Sequence, residues 1–203
     1  MPHIVCRVVT TVILLLPCAA ARAQAPAPAS ETAFSELDLR AARLYLRPDA
    51  RLRELYRTHA GLGFEIETPF DAGVLMAGVS RVRFSARGGE TSGQPDFDAT
   101  LVMAGWGFRL PTPAALHITA GVRAGDFLMW FDDPALDASV RRESELFLGA
   151  FAAATVRLYK RLGLTASASY GRVHLHVPLH ITTLAIGVEY RVGTPEWLRD
   201  FLR

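Results

Sequence analysis

The 203-residue chain is short of what usually staples or steers a small protein. Its only cysteines, Cys6 and Cys18, fall before Ala23, so everything beyond has no thiol and uses neither disulfides nor thiolate chemistry. Lysine is almost missing: Lys160 is the single one, and arginine supplies the other cations, a bias that codon usage explains as well as function does. Charge of one sign is lacking too. The formal net charge is +2, and with Arg7 and Arg22 set aside the rest of the chain carries 20 basic and 20 acidic residues. Such a balance excludes bulk electrostatic steering and a strongly nucleic-acid-seeking protein. Long hydrophobic runs are absent as well, because the apolar stretch Val8 to Leu16 falls short of the roughly 20 residues that a spanning helix needs. Yet 50% of the residues are hydrophobic, which excludes a disordered chain and means that the apolar content is laid out in another pattern.

That pattern is strict alternation. From Leu116 to Gly125, Leu116, Ile118, Ala120, Val122 and Ala124 fall on one side, and His117, Thr119, Gly121, Arg123 and Gly125 on the other. Successive strand side chains point to opposite faces, so this is a strand with one apolar and one polar, mostly small face. Comparable runs predict strands at Ala60 to Phe70, Gly73 to Ala86, Asp98 to Leu110, Leu116 to about Phe131, Glu143 to Tyr159, Leu162 to His176 and Ile181 to Val192. In Gly73 to Ala86 the apolar parity moves near Ser80 to Val82 and Phe84, which predicts a bulge there. A similar exchange near Met103 leads from Leu101 and Met103 to Trp106, Phe108 and Leu110.

Ahead of these runs, Met1 to Ala23 has the charged start, apolar core and Ala21-Arg22-Ala23 triplet of a secretory signal peptide. Residues 24–33 are rich in Ala and Pro and read as a periplasmic linker. Phe34 to Leu46 fits both periods: Leu37, Leu39 and Ala41 alternate with Glu36, Asp38 and Arg40, whereas Phe34, Leu37, Ala41 and Leu44 form a helical stripe. Parity favours strand, because closed single-chain barrels of this kind have even strand numbers and this segment is the eighth. Arg47 to His59 is a polar loop in which Leu52, Leu55 and Tyr56 suit one helical turn. Connections after the odd strands are mostly longer than those after the even ones, as expected of short periplasmic turns and longer outer loops. The expectation is an all-β chain: an eight-stranded antiparallel up-and-down transmembrane β-barrel over 34–192, followed at 193–203 by a short amphipathic helix. Thr194, Pro195 and Glu196 make the start of that helix, and Trp197, Leu198, Phe201 and Leu202 share one of its sides.

The composition of the polar face decides which side meets lipid. Gly, Ser and Thr mixed with Glu65, Glu67, Arg123, Glu145, Arg157, Glu189 and Arg191 suit a narrow lumen filled by short side chains and ion pairs. Aromatics at the strand ends, Phe70, Trp106, Phe108 and Tyr190 at one side and Phe97, Trp130 and Phe131 at the other, fit interfacial girdles. Over Phe34 to Val192 the chain resembles the small outer-membrane β-barrel proteins of Gram-negative bacteria. Its last strand carries Gly187-x-x-Tyr190-x-Val192, similar to the terminal-strand signal read by the outer-membrane assembly machinery. The resemblance implies residence in the bacterial outer membrane, with lipid, lipopolysaccharide and that machinery as partners.

Chemistry-bearing clusters are few. His174, His176 and His180 are the only local histidine group, and metal ligation would need further ligands and a fixed outer shell of hydrogen bonds. Some barrels of this size modify lipid A with a lipid-facing Ser, His and carboxylate. Ser167, Ser169 and His174 are the residues to weigh, but Ser169 and His174 have opposite strand parity. Arg47, Arg51, Arg53 and Arg57 in the first outer loop suit lipopolysaccharide phosphates, since guanidinium binds phosphate bidentately. No motif identifies a cofactor, a metal, a nucleic acid or a small-molecule substrate. The reading is a barrel with a plugged polar lumen and a structural or surface-interaction role without catalysis. A lipid A-modifying enzyme is the alternative, and a soluble periplasmic lipocalin-like lipid-binding barrel, with its faces inverted, is the next.

Overall fold

A computed structural model describes residues 33–71, 73–88, 94–112, 115–133, 141–175 and 178–201. The predicted leader, and the linker apart from Ala33, lie outside the described residues. From Thr32 onward the chain clusters as one unit, built from strands β1 (Glu36–Pro48), β2 (Tyr56–Thr58), β3 (Gly61–Phe70), β4 (Gly73–Ala86), β5 (Phe97–Leu110), β6 (Leu116–Phe131), β7 (Arg142–Tyr159), β8 (Leu162–Val173) and β9 (Leu179–Gly193). Two short helices, α1 (Ala50–Leu55) and α2 (Glu196–Phe201), accompany them.

Every pairing is antiparallel, and the sheet closes on itself through β1 with β9 and β4 with β5. Because β2 and β3 both lie along β4, they form one interrupted stave, and the barrel has eight. The ambiguous first segment is therefore strand, displaced two residues from its expected bounds. Its alternation wins over the helical stripe because both edges find partners, β3 on one side and β9 on the other.

The register fixes the geometry. A circuit from Asp38 passes through Glu67, Met76, Gly105, Arg123, Gly149, Gly171 and Ile181 and returns to β1 at Pro48, ten residues along (38 to 48). With a rise of about 3.3 Å and a strand spacing of about 4.8 Å, that stagger tilts the strands by about 40°. The start of β1, the end of β9 and the turns after β3, β5 and β7 share one end, and α1 with the connections after β4, β6 and β8 share the other. We call these the inner and outer ends.

The bulge expected in β4 is absent. Val74, Met76, Val82 and Phe84 are all buried on one inward face, and β4 runs in unbroken register with β5. Beyond Ser80 it is the surroundings that change: the outward positions become Arg81 and Arg83, while the inward ones become apolar. The extra residue sits instead on the neighbouring stave, at His59 and Ala60, where four steps from Thr58 to Leu62 oppose three from Phe84 to Arg81. β5 is continuous as well, with Leu101 and Met103 inward and Val102, Trp106 and Phe108 outward. The irregularity that does occur in β7 lies at its inner end, between Arg157 and Tyr159.

Outward rows are strongly apolar and exposed, with Leu62 at 73%, Ile186 at 65% and Val122 at 62% of full exposure. A soluble lipocalin-like barrel would turn these rows inward, so that alternative's face assignment is reversed here. The outer-side aromatic girdle also needs correction. Phe97 is buried inside, stacked on Phe84 at 4.4 Å and tilted against Phe131 at 5.3 Å. Above the apolar band the interior itself is apolar, so position at a strand end does not make these rings interfacial. Trp130 does face outward, under the guanidinium of Arg142 at 5.7 Å.

Candidate functional site

The interior has two halves. In the inner half, Arg40 on β1 reaches both of its neighbours, pairing with Glu67 of β3 at 2.7 Å and Glu189 of β9 at 2.8 Å. Arg109 crosses the lumen from β5 to Asp38 at 2.9 Å and Glu67 at 3.3 Å. Arg191 holds Asp38 at 2.6 Å and Glu36 at 2.9 Å. Thr155 donates its hydroxyl to Glu189 at 3.0 Å and Thr119 donates to Glu67 at 3.4 Å. These charges are deeply buried: Glu67 is 1% exposed, Asp38 2% and Arg40 5%. Burial is tolerable because each carboxylate accepts from more than one donor, which offsets its lost hydration.

Of the seven charges expected in the lumen, Glu65, Glu67, Arg123, Glu189 and Arg191 meet a partner. Arg123 lies 3.6 Å from Glu65, donates to Ser169, points a second nitrogen at Met103 Sδ at 3.2 Å and sits 5.6 Å from the centre of the Phe147 ring. Glu145 and Arg157 face inward but form no ion pair among the described residues, and Arg157 Nη2 is buried without a hydrogen-bond partner there. Sequence reasoning missed Glu36, Asp38, Arg40 and Arg109. The signal was present in the alternation of Glu36, Asp38 and Arg40 with Leu37, Leu39 and Ala41 along β1. Counting these and setting aside Glu145, which lies farther out opposite Phe127, Arg40, Arg109, Arg123, Arg157 and Arg191 oppose Glu36, Asp38, Glu65, Glu67 and Glu189, so the charges of the inner half cancel.

Above Arg123 the lumen is not polar, contrary to expectation. Leu44, Val82, Phe84, Phe97, Phe127, Met129, Phe147, Val173, Leu179 and Ile181 form one buried cluster, with Leu52 of α1 and Phe131 packed against it. Phe147 lies over two glycines: a Cβ on Gly171 would collide with its ring, and one on Gly149 would come within 2.9 Å of it. Between the halves is a cavity of about 40 Å³ lined by residues including Arg40, Glu65, Ser80, Arg123, Ser167 and Ser169, room for a few water molecules at about 10–15 Å³ each.

At the outer rim Arg83 gathers three carboxylates, Asp132 at 2.8 Å, Asp96 at 3.5 Å and Asp98 at 3.8 Å. The Ala86 N–H donates to Asp96 at 2.7 Å. That bond, with help from Ser85 and Arg83, holds the Asp96 carboxyl below the usual aspartate range. Of the four arginines expected in the first outer loop, Arg47 lies on β1, Arg51 and Arg53 on α1 and Arg57 on β2, because the strands run farther outward than the polar composition suggested; all four are exposed. Asp49 caps α1 by accepting from Leu52 N–H at 3.1 Å, and Arg53 donates to its carbonyl at 3.3 Å. Of the residues expected to form an assembly signal, Gly187 faces the lumen with no room for a side chain against Ala41 and Ala42, while Tyr190 and Val192 face outward.

His174 Nδ1 lies 3.2 Å from the Leu146 carbonyl, His180 stacks on Tyr170 at 5.8 Å, and His176 lies outside the described residues. Among the described residues no group of three or more metal-ligating side chains converges. Ser167 and Ser169 face the lumen, so neither belongs to a lipid-facing catalytic site. The pair that sequence spacing hid is His59 Nε2 with Ser85 Oγ, 3.0 Å apart. Ser85 also bonds Asp96, an order in which the carboxylate engages the hydroxyl rather than orienting the imidazole, unlike a nucleophilic triad.

Eight antiparallel staves with a stagger of ten, an apolar outward band and a charge-paired interior define the architecture of small transmembrane β-barrels. Solved structures with this fold are eight-stranded outer-membrane proteins. Neisserial surface protein A is similar with a TM-score of 0.55 at 13% identity, over 76% of this chain and 95% of that one. A major outer membrane protein from Thermus thermophilus gives 0.53 at 12% identity over 77% and 99%, and the attachment invasion locus protein Ail of Yersinia pestis gives 0.50 at 19% over 78% and 97%. No family model and no curated protein matches the chain. At such identities the likeness is one of fold.

Proposed function

We propose that the chain is an integral protein of the bacterial outer membrane, exported by its N-terminal leader, with a plugged lumen and a structural or surface-interaction role without catalysis. The observation that carries this reading is the inverted polarity of the barrel: exposed Leu, Ile and Val rows outside, and cancelling buried charges inside. Only a hydrocarbon surrounding makes that arrangement favourable, since closed strand pairing leaves no backbone group unsatisfied in lipid. A small central cavity, with the apolar cluster above it and the ion pairs below, supports a plug rather than a pore. Gly187, Tyr190 and Val192 serve the assembly machinery, and Arg47, Arg51, Arg53 and Arg57 meet lipopolysaccharide phosphates. α2, with Trp197 71% exposed, lies on the inner leaflet surface.

Membrane fractionation followed by electrophoresis with and without boiling tests the reading. Heat-modifiable migration in the outer-membrane fraction is expected, and recovery in the soluble periplasm would refute it. The absence of catalysis is tested at the half-buried Ser85: a Ser85→Ala strain should keep its lipid A profile, and a changed profile would establish the enzyme instead.

A further inference from the structure

Arg43 interrupts the apolar outward row of β1 that runs through Leu37, Leu39 and Ala41. It is exposed on β1 between Ala41 and Tyr45, and its register partners are Leu62 and Ile186, both among the most exposed apolar residues of the barrel. Higher on the same face come Tyr45, opposite Leu184, and Arg47, opposite Thr182. A guanidinium stays charged in any protein setting. At this depth it must rise along its stem toward the headgroups and find an anion there.

The strands on either side of Arg43 supply none among the described residues. Among the described residues, the outward positions of β8, β9, β1, β3 and β4 carry no carboxylate. The outward acids begin one strand beyond β4, at Asp98 of β5, and continue at Asp126 of β6, where Ser144 donates to Asp126 at 2.6 Å. Cations, by contrast, share the sector. Arg81 lies on Arg43's own row, one strand beyond Leu62, which puts the two Cα atoms about 10 Å apart. Arg47 stands four residues above Arg43, about 13 Å along the strand. Arg81 gives one nitrogen to Asp98 at 3.0 Å and keeps other donors of its fork.

We infer that this sector, on the reading of the chain as a lipid-embedded barrel, holds a phosphorylated lipid of the outer leaflet. The phosphate sits among Arg43, Arg47 and Arg81, and the acyl chains run down Leu62, Leu184 and Ile186. Guanidinium forks match phosphate oxygens two at a time. Continuity with the apolar band selects a lipid over a free anion, because Arg43 is bounded on both sides by residues that only hydrocarbon covers well.

The test uses the mature protein refolded in phosphatidylcholine vesicles doped with a phosphorylated glycolipid or its dephosphorylated counterpart, with retained lipid read by native mass spectrometry. Wild type should retain the phosphorylated form about tenfold over the other, a difference of about 1.4 kcal/mol. Arg43→Leu and Arg47→Ala should each remove most of that preference, Arg43→Lys should keep part of it, and Arg142→Ala on the acidic side should leave it unchanged. Removing a charge from a lipid-facing position costs the barrel nothing, so Arg43→Leu should still fold. Equal retention of the two lipids, an undiminished preference in Arg43→Leu, or displacement by millimolar inorganic phosphate would overturn the site. Electrophoresis of the same samples keeps the two readings apart: loss of heat-modifiable migration in wild type would refute the barrel, whereas its persistence with equal retention refutes the lipid site alone.

Discussion

The inner and outer halves of the lumen occupy one tube and are filled by opposite means. Around Arg40 the space is closed by charge against charge, where each partner's position is set by direction and distance. Around Phe84 and Phe97 it is closed by stacked rings and aliphatic side chains, where what matters is volume. The division follows from what each half is asked to do. Ion pairs such as Arg40 with Glu67 and Glu189, or Arg109 with Asp38, tie named strands to one another and penalise a slipped register, a role in which buried pairs give specificity more readily than net stability. The apolar cluster specifies less but excludes water, and it reaches up to α1, so the outer loop is anchored on the barrel through Leu52.

That contrast can be attacked from either side. The largest effect is expected from Arg40→Met, which strands Glu67 and Glu189 without their shared cation and should cost about 3–5 kcal/mol in urea unfolding of the refolded barrel. Replacing all three by Met and Leu should recover most of the loss, and a single variant as stable as wild type would mean that water fills the inner half. Phe84→Ala in the outer half should cost about 3 kcal/mol by opening a cavity. A loss below about 1 kcal/mol would show that the outer half collapses freely and is not close-packed. The smallest effect belongs to the rim outside both halves. Asp96 titrates below the ordinary aspartate range, so its contribution is complete above that range and fades only as pH falls through its own lowered value. Exposure keeps the energy small, and the amide shift of Ala86 on acid titration is the measurement. A midpoint at or above the ordinary aspartate value would mean that the Ala86 bond does not persist in solution.

The staves were legible because their period is two and needs no knowledge of neighbours. Parity alone placed Glu65, Glu67, Arg123, Glu189 and Arg191 inside. It also placed Glu145 and Arg157 inside, yet gave no hint that they form no pair there. Who meets whom across the lumen depends on the stagger of ten residues, a property of closure that no single strand carries. Asp38 and Arg40 were obscured because a helical stripe competes over the same stretch, and Arg109 because an apparent change of parity near Met103 drew attention to the aromatics beside it. The misplaced bulge and the misplaced Phe97 have one cause. Where a strand leaves the apolar band its inward and outward chemistries exchange, and a reading that equates apolar with outward takes that exchange for a slip in the backbone. The pairing of His59 with Ser85 joins two staves across 26 positions and has no local trace at all.

The seam between β1 and β9 has a consequence for the order of events during biogenesis. Thirteen residue pairs, from Glu36 with Gly193 to Pro48 with Ile181, join the first strand made to the last. Until β9 arrives, β1 presents an open hydrogen-bonding edge, and such an edge pairs readily with any other chain nearby. Closure over so long a separation is also slow. The edge of β1 that β9 covers is therefore the last to be closed, and it stays open until the whole chain has been made.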